Sequence, residues 1–178
     1  MEEKNKMHTY ARLGYSDIET ANIVKKLNIL LANYHIHYQK LRNFHWNVKG
    51  PEFFELHEKF EEQYETAKAN IDEIAERIRV FGKAPMSTLA EYLSVAEINE
   101  VDTNLTAIEM VREVLDDYQL LLSFMKDVLE VADQAGDAGT DDMINSFIKP
   151  IEKSHWMFMA WLNHGQKGTI PESPVDQE

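Results

Sequence analysis

A chain of 178 residues, 44% apolar and 28% charged, has the size and composition of one folded domain and excludes a largely disordered protein. The absence of cysteine excludes disulfides, thiolate metal sites and thiol nucleophiles together, leaving histidine and carboxylate as the strong metal ligands. A formal net charge of -13 opposes nonspecific binding to phosphate backbones and favours attraction of cations.

No stretch approaches about 18 uninterrupted apolar residues, the length a membrane-spanning helix needs. The N-terminal MEEKNKMHTYARLGYSD has no apolar core of the kind a secretory signal requires, so the expectation is a cytoplasmic protein with no membrane span. Residues 1–15 read as a flexible N-terminal arm, 16–164 as the folded domain and 165–178 as a C-terminal tail.

The first helix is expected from the capping box Ser16-Asp17-Ile18-Glu19, with an apolar stripe of Val24, Leu27, Leu31, Tyr34, Tyr38 and Leu41. One more step of the same spacing lands on His45. Gly50-Pro51 ends that helix, and a second is predicted from Phe53 to Phe81, stopped by Gly82 and Pro85. A long connection follows, holding a short amphipathic segment, STLAEYL, that Ser87 or Thr88 can cap. The third long helix starts at the capping box Thr106-Ala107-Ile108-Glu109, turns Ile108, Val111, Leu115, Tyr118, Leu122, Met125, Leu129 and Ala132 inward, and ends at Gly136. A fourth runs from Asp141 to Asn163 with Ile144, Ile148, Ile151, His155, Phe158 and Leu162 facing inward, and Pro150 is expected to kink it. Nothing alternates with a period of two, so the class is all-α: four long antiparallel helices and a short extra helix between the second and third.

The chemistry concentrates in residues 41–77, LRNFHWNVKGPEFFELHEKFEEQYETAKANIDEIAER. On the second helix His57 and Glu61 lie one turn apart, as do Asp72 and Glu76, and at 100° per residue the four fall within an arc of about 100°. One ion cannot use both pairs. The eleven residues from Glu61 to Asp72 span about 16 Å, against ligand bonds of about 2 Å, so each pair needs a partner that a symmetry-related copy of this helix would supply. Mixed imidazole and carboxylate ligands suit ferrous iron, manganese or zinc.

Taken singly, each group has a plainer reading. His45 can be a satisfied core histidine, His57 with Glu61 a surface i,i+4 pair, and Asp72 with Glu76 part of a solvated acidic face. Trp46 can be ordinary packing. In GDAGTDDM, residues 136–143, Asp141 and Asp142 can simply occupy the first turn of a helix capped by Thr140. His35 and His37 do not share a helical face, His8 and His164 lie near the ends, and Glu152-x-x-His155 is only half of an intrachain di-iron motif.

FHWNVKGPEFFELHEKFEE followed by IDEIAER resembles the signature of the Dps family of small ferritins, and the similarity extends through GKAPMSTLAEYL to HWMF, covering about residues 20 to 163. The resemblance implies a ferritin-like four-helix bundle assembled as a hollow dodecamer built from dimers. It implies a two-iron ferroxidase centre at the two-fold interface, with His45, His57 and Glu61 from one subunit facing Asp72 and Glu76 from its partner. Glu61 stands where many family members have Asp. Trp46 resembles the family tryptophan beside the iron, where an oxidisable ring can absorb a stray radical. Asp137, Asp141 and Asp142 fall in the region that lines acidic pores at the three-fold axes. The function implied is oxidation of ferrous iron, with hydrogen peroxide or oxygen as acceptor, and storage of the ferric mineral.

Two readings from other classes remain. A DNA-compacting shell would need a basic arm, but here Lys4, Lys6 and Arg12 stand against Glu2 and Glu3 and the C-terminal tail is acidic, so direct DNA binding is not expected. An intrachain di-iron oxidase would need two Glu-x-x-His motifs, and the chain has one.

Overall fold

The computed structural model describes residues 9–163, which form helices and no strand. After a single helical turn, α1 (Thr9–Arg12), come α2 (Asp17–Asn47), α3 (Phe53–Val80), α4 (Leu89–Val95), α5 (Ala107–Gln134) and α6 (Ala138–Asn163). α2 and α3 form one hairpin, α5 and α6 the other, and the long connection carrying α4 joins them, with α2 packed against α3, α5 and α4. None of these helices is long and apolar enough to cross a membrane.

Local chemistry sets most of the helix ends. Ser16, Thr88 and Thr106 each accept a hydrogen bond from the amide of a glutamate three residues on, and the carboxylates of Glu19, Glu91 and Glu109 in turn accept one from the cap's own amide. Of the two candidates for α4, Thr88 is the cap. These reciprocal bonds hold all three glutamate carboxyls below the ordinary range, through the hydroxyls of Ser16 and Thr106 and, for Glu91, first through the Ser87 amide.

Two boundaries differ from the sequence expectation. α6 starts at Ala138 rather than Asp141, because Asp137, not Thr140, takes the capping position: its carboxylate accepts from the Thr140 amide at 3.1 Å and from the Thr140 hydroxyl. Gly136, at φ 64°, makes the tight turn that lets the Asp137 amide reach back to the Ala132 carbonyl at 2.8 Å. The second correction concerns the arm expected over 1–15. From residue 9 onward the chain is folded on the bundle: Tyr15 donates to Asp137 at 3.1 Å and sets its ring edge-on to Phe81. The remainder of that arm, with His8, and the tail 165–178, with His164 before it, lie outside the described residues.

The core is continuous through Ile23, Leu27, Leu31, Tyr34, Leu41 and Phe44 of α2, Phe60, Ile74 and Ile78 of α3, and Phe147 and Phe158 of α6. On α5 the innermost line runs through Val111, Val114, Tyr118, Leu121, Met125 and Val128. Ile108, expected inward, is exposed because it occupies the first turn at the rim of the bundle, while Leu122 and Leu129 flank the core. On α6, Ile148, His155 and Leu162 are half-buried, and the helix continues through Pro150, which faces solvent where water can satisfy the carbonyl its ring leaves unbonded.

Buried polar groups lock the helices in register. Asp117 of α5 binds His37 Nδ1 through one oxygen and Lys40 Nζ through the other, both at 2.8 Å, and Lys40 also reaches Glu113 at 3.2 Å. Three asparagines of α2 hold the long connection: Asn28 accepts from the Met86 amide, Asn33 from the amides of Glu97 and Ile98, and Asn43 donates to the Val101 carbonyl. Asn70 of α3 donates to the Tyr34 hydroxyl, whose burial pushes its ionisation well above the ordinary tyrosine range. No buried side-chain polar atom among the described residues lacks a partner.

Candidate metal centre

His45 ends the apolar stripe of α2, and the turn at Gly50-Pro51 brings the start of α3 back beside it. The two histidines then clasp each other. His45 Nδ1 donates to the His57 carbonyl and His57 Nδ1 donates to the His45 carbonyl, both at 2.8 Å, and the rings stack at 3.8 Å and 20°. A carbonyl oxygen can only accept, so both Nδ1 atoms carry a proton, and in the neutral ring the lone pair is left on Nε2. An imidazole fixed through one ring nitrogen to a backbone carbonyl is the usual arrangement of a metal ligand, because the tautomer and the ring plane are settled before the ion arrives. Phe53 covers the other face of His57 at 5.0 Å.

Glu61, one turn beyond His57, is exposed and offers a carboxylate on the same face. Its Oε1 accepts from Tyr64 at 3.2 Å, and the Tyr64 ring stands edge-on to His45 at 5.4 Å. Burial first, and then the Glu61 charge, raise the Tyr64 ionisation above its ordinary value, so the phenol is the donor in that bond. Tyr64 has no place among the sequence-derived candidates. Its signal was available: it lies seven residues after His57 and three after Glu61, hence on the same face of α3.

Asp72 and Glu76 occupy the same face, both exposed, about 16 Å farther along the same unbroken helix. The fold therefore brings His45 and His57 together, sets Glu61 one helical turn beyond His57, and leaves Asp72 and Glu76 apart from them. Among the described residues no three histidine or acidic side chains of the single chain converge on one point. Two neutral imidazole nitrogens and one carboxylate make half of a site for a hard or borderline divalent cation, open on one side.

Trp46 is 57% exposed, and the Arg42 guanidinium lies over its ring at 4.7 Å and over Tyr38 at 5.3 Å. Of the three aspartates at the α5–α6 turn, Asp137 is 1% exposed and already occupied by Arg77, Tyr15 and Thr140, because it caps α6 and fastens α3 to that turn. Asp141, half-buried, accepts from Asn145, and Asp142 is exposed.

A ferritin-like domain is matched over residues 24–167. The chain is 42% identical over 141 residues to DNA protection during starvation protein 2 of Bacillus anthracis, covering 79% of this chain and 97% of that protein. It is 46% identical over 136 residues to the DNA protection during starvation protein of Brevibacillus brevis, with 76% and 91% covered. The crystal structure of a Dps protein from Vibrio cholerae O1, described as a member of a broad superfamily of ferritin-like diiron-carboxylate proteins, aligns with a TM-score of 0.82 at 39% identity over 84% of this chain and 94% of that one.

Proposed function

The chain belongs to the Dps family of the ferritin-like superfamily, and from that premise we propose that it oxidises ferrous iron at centres shared between two subunits and stores the ferric product inside a hollow dodecamer. The observation that carries this reading is the histidine clasp. It fixes two imidazoles one helical turn from Glu61, while the complementary Asp72 and Glu76 lie on the same face of α3 at a position no ion in this chain can share. An antiparallel second copy of α3 completes both halves at once, giving two sites per dimer.

Iron is the substrate. Two Fe²⁺ ions held close together give up one electron each, and one hydrogen peroxide with two protons becomes two waters. The carboxylates of Glu61, Asp72 and Glu76 favour the more highly charged Fe³⁺ state, and His45 and His57 hold the ions through Nε2, since each Nδ1 is engaged by a backbone carbonyl. Asp141 and Asp142 are proposed to concentrate Fe²⁺ at the entry pores. Trp46, next to His45, is proposed to take up stray one-electron oxidants. Removing Fe²⁺ and peroxide together protects DNA without touching it, in keeping with the net charge of -13.

The test replaces His45 and Asp72 by alanine, one from each half. Iron is added anaerobically, then peroxide or oxygen, and ferric absorbance is followed alongside particle mass. Rapid peroxide-dependent oxidation should disappear while assembly persists; an unchanged rate in the double variant would remove these residues from the site. A gel-shift titration at low and moderate salt should show no retained DNA at moderate salt.

A further inference from the structure

Tyr64 touches two of the three ligands that one subunit is proposed to contribute, and the reaction above gives it no task. Its hydroxyl reaches Glu61 Oε1 at 3.2 Å, and its ring packs edge-on to His45 at 5.4 Å and 80°. Tyr38 of α2 also meets the same ring edge-on, at 6.1 Å and 79°. The phenol is therefore held by its own packing and not only by the bond it makes.

The geometry points to Tyr64 as the positioning residue that makes Glu61 a one-oxygen ligand: the phenol occupies Oε1 and leaves Oε2 for a divalent cation. This rests on the metal-centre reading above. An exposed glutamate on a helix samples several rotamers, and its extra methylene makes it harder to hold still than an aspartate. A donor already fixed against His45 and Tyr38 removes much of that freedom before the ion arrives. Because the phenol is neutral, it orients the carboxylate without cancelling the charge that attracts the cation. Hydrogen-bond partners behind a metal ligand typically change metal affinity by about 10–100-fold.

The test is a titration of Co²⁺ under anaerobic conditions into the whole assembled protein, unsubstituted and as Tyr64→Phe, Glu61→Ala and the combination. Phenylalanine keeps the ring contacts and removes only the donor. Tyr64→Phe should weaken the cation held by Glu61 by about 10–100-fold, leave thermal unfolding unchanged, and have no further effect in the Glu61→Ala background. Unchanged affinity in Tyr64→Phe, or the same loss with and without Glu61, overturns the role of Tyr64 and leaves the metal centre standing. Absence of tight Co²⁺ binding by the unsubstituted protein, or binding indifferent to Glu61→Ala, overturns the metal-centre reading itself and Tyr64's role with it.

Discussion

Replacing Asp117 by alanine probes the buried network between α2 and α5. The carboxylate is 2% exposed and holds His37 through one oxygen and Lys40 through the other, both at 2.8 Å. Removing one member of a buried ion pair costs about 3–5 kcal/mol, because the partner charge stays desolvated without compensation. Here the compensation is partial: Lys40 keeps Glu113 at 3.2 Å, and that side chain is 37% exposed and can share the load with water. The expected cost is accordingly at the lower end, about 3 kcal/mol. For a chain of this size each kcal/mol lowers the melting midpoint by about 2–4 °C, which gives a fall of about 6–12 °C. Circular dichroism melting at one fixed protein concentration measures it, since subunit association also adds to apparent stability. The combined variant His37→Leu, Lys40→Met, Asp117→Leu should recover most of the loss, because an apolar set leaves no buried charge unpaired and Glu113, 37% exposed, is solvated by water. A single alanine variant melting within about 2 °C of the parent, a deficit under about 1 kcal/mol, would show that the network is not the fastener described.

Three further outcomes follow from particular contacts. A Cβ at Gly139 would stand 3.0 to 3.2 Å from the Arg77 guanidinium, so Gly139→Ala should push Arg77 off Asp137 and cost about 1–3 kcal/mol, read by urea unfolding; a neutral variant would mean the guanidinium moves freely. Asn33→Leu strands the amides of Glu97 and Ile98, and hydrogen exchange at those two amides should accelerate more than anywhere else in the long connection, with protection unchanged only if the loop holds without them. The bonds from the Thr106 hydroxyl and then its amide hold the Glu109 carboxyl low, so its contribution is present above the unfolded glutamate value and is lost as pH falls through the lower folded value. Glu109→Gln should therefore flatten the fall in melting midpoint below about pH 4, and an identical acid limb in the variant would contradict the linkage.

How legible each feature was depends on how far away its cause lies. The ends of α2, α4 and α5 follow from Ser16 with Glu19, Thr88 with Glu91 and Thr106 with Glu109, pairs three residues apart that the chain spells out locally. The start of α6 was misplaced because Asp137 caps it in concert with Arg77 and Tyr15, residues of other elements. The same distance hid His37: it is two residues from His35 and looks incidental until Asp117, 80 positions on, comes to meet it. On the helix of the metal centre the spacing of His57, Glu61, Asp72 and Glu76 was readable, since helical phase alone sets it. The clasp of His45 on His57 was not, because it runs through backbone carbonyls, which no residue pattern records. Tyr64 went unremarked as one aromatic in a helix crowded with acids.

α3 is continuous from Phe53 to Val80, and under the proposed pairing each copy serves two centres, one near either end. The stretch from Glu61 to Asp72 then acts as a gauge that fixes how far apart the two centres of a dimer stand. Substitutions within it alter charge or packing, but an insertion alters phase. One added residue would turn Asp72 and Glu76 by about 100° and carry them off the shared face, with helix content and composition almost unchanged. Seven added residues would restore the orientation to within about 20° and leave the acids about 10 Å too far along to meet the partner's histidines. The segment can accept changes of residue at most of its exposed positions and none in its count, a constraint that belongs to the arithmetic of the helix and to no individual contact.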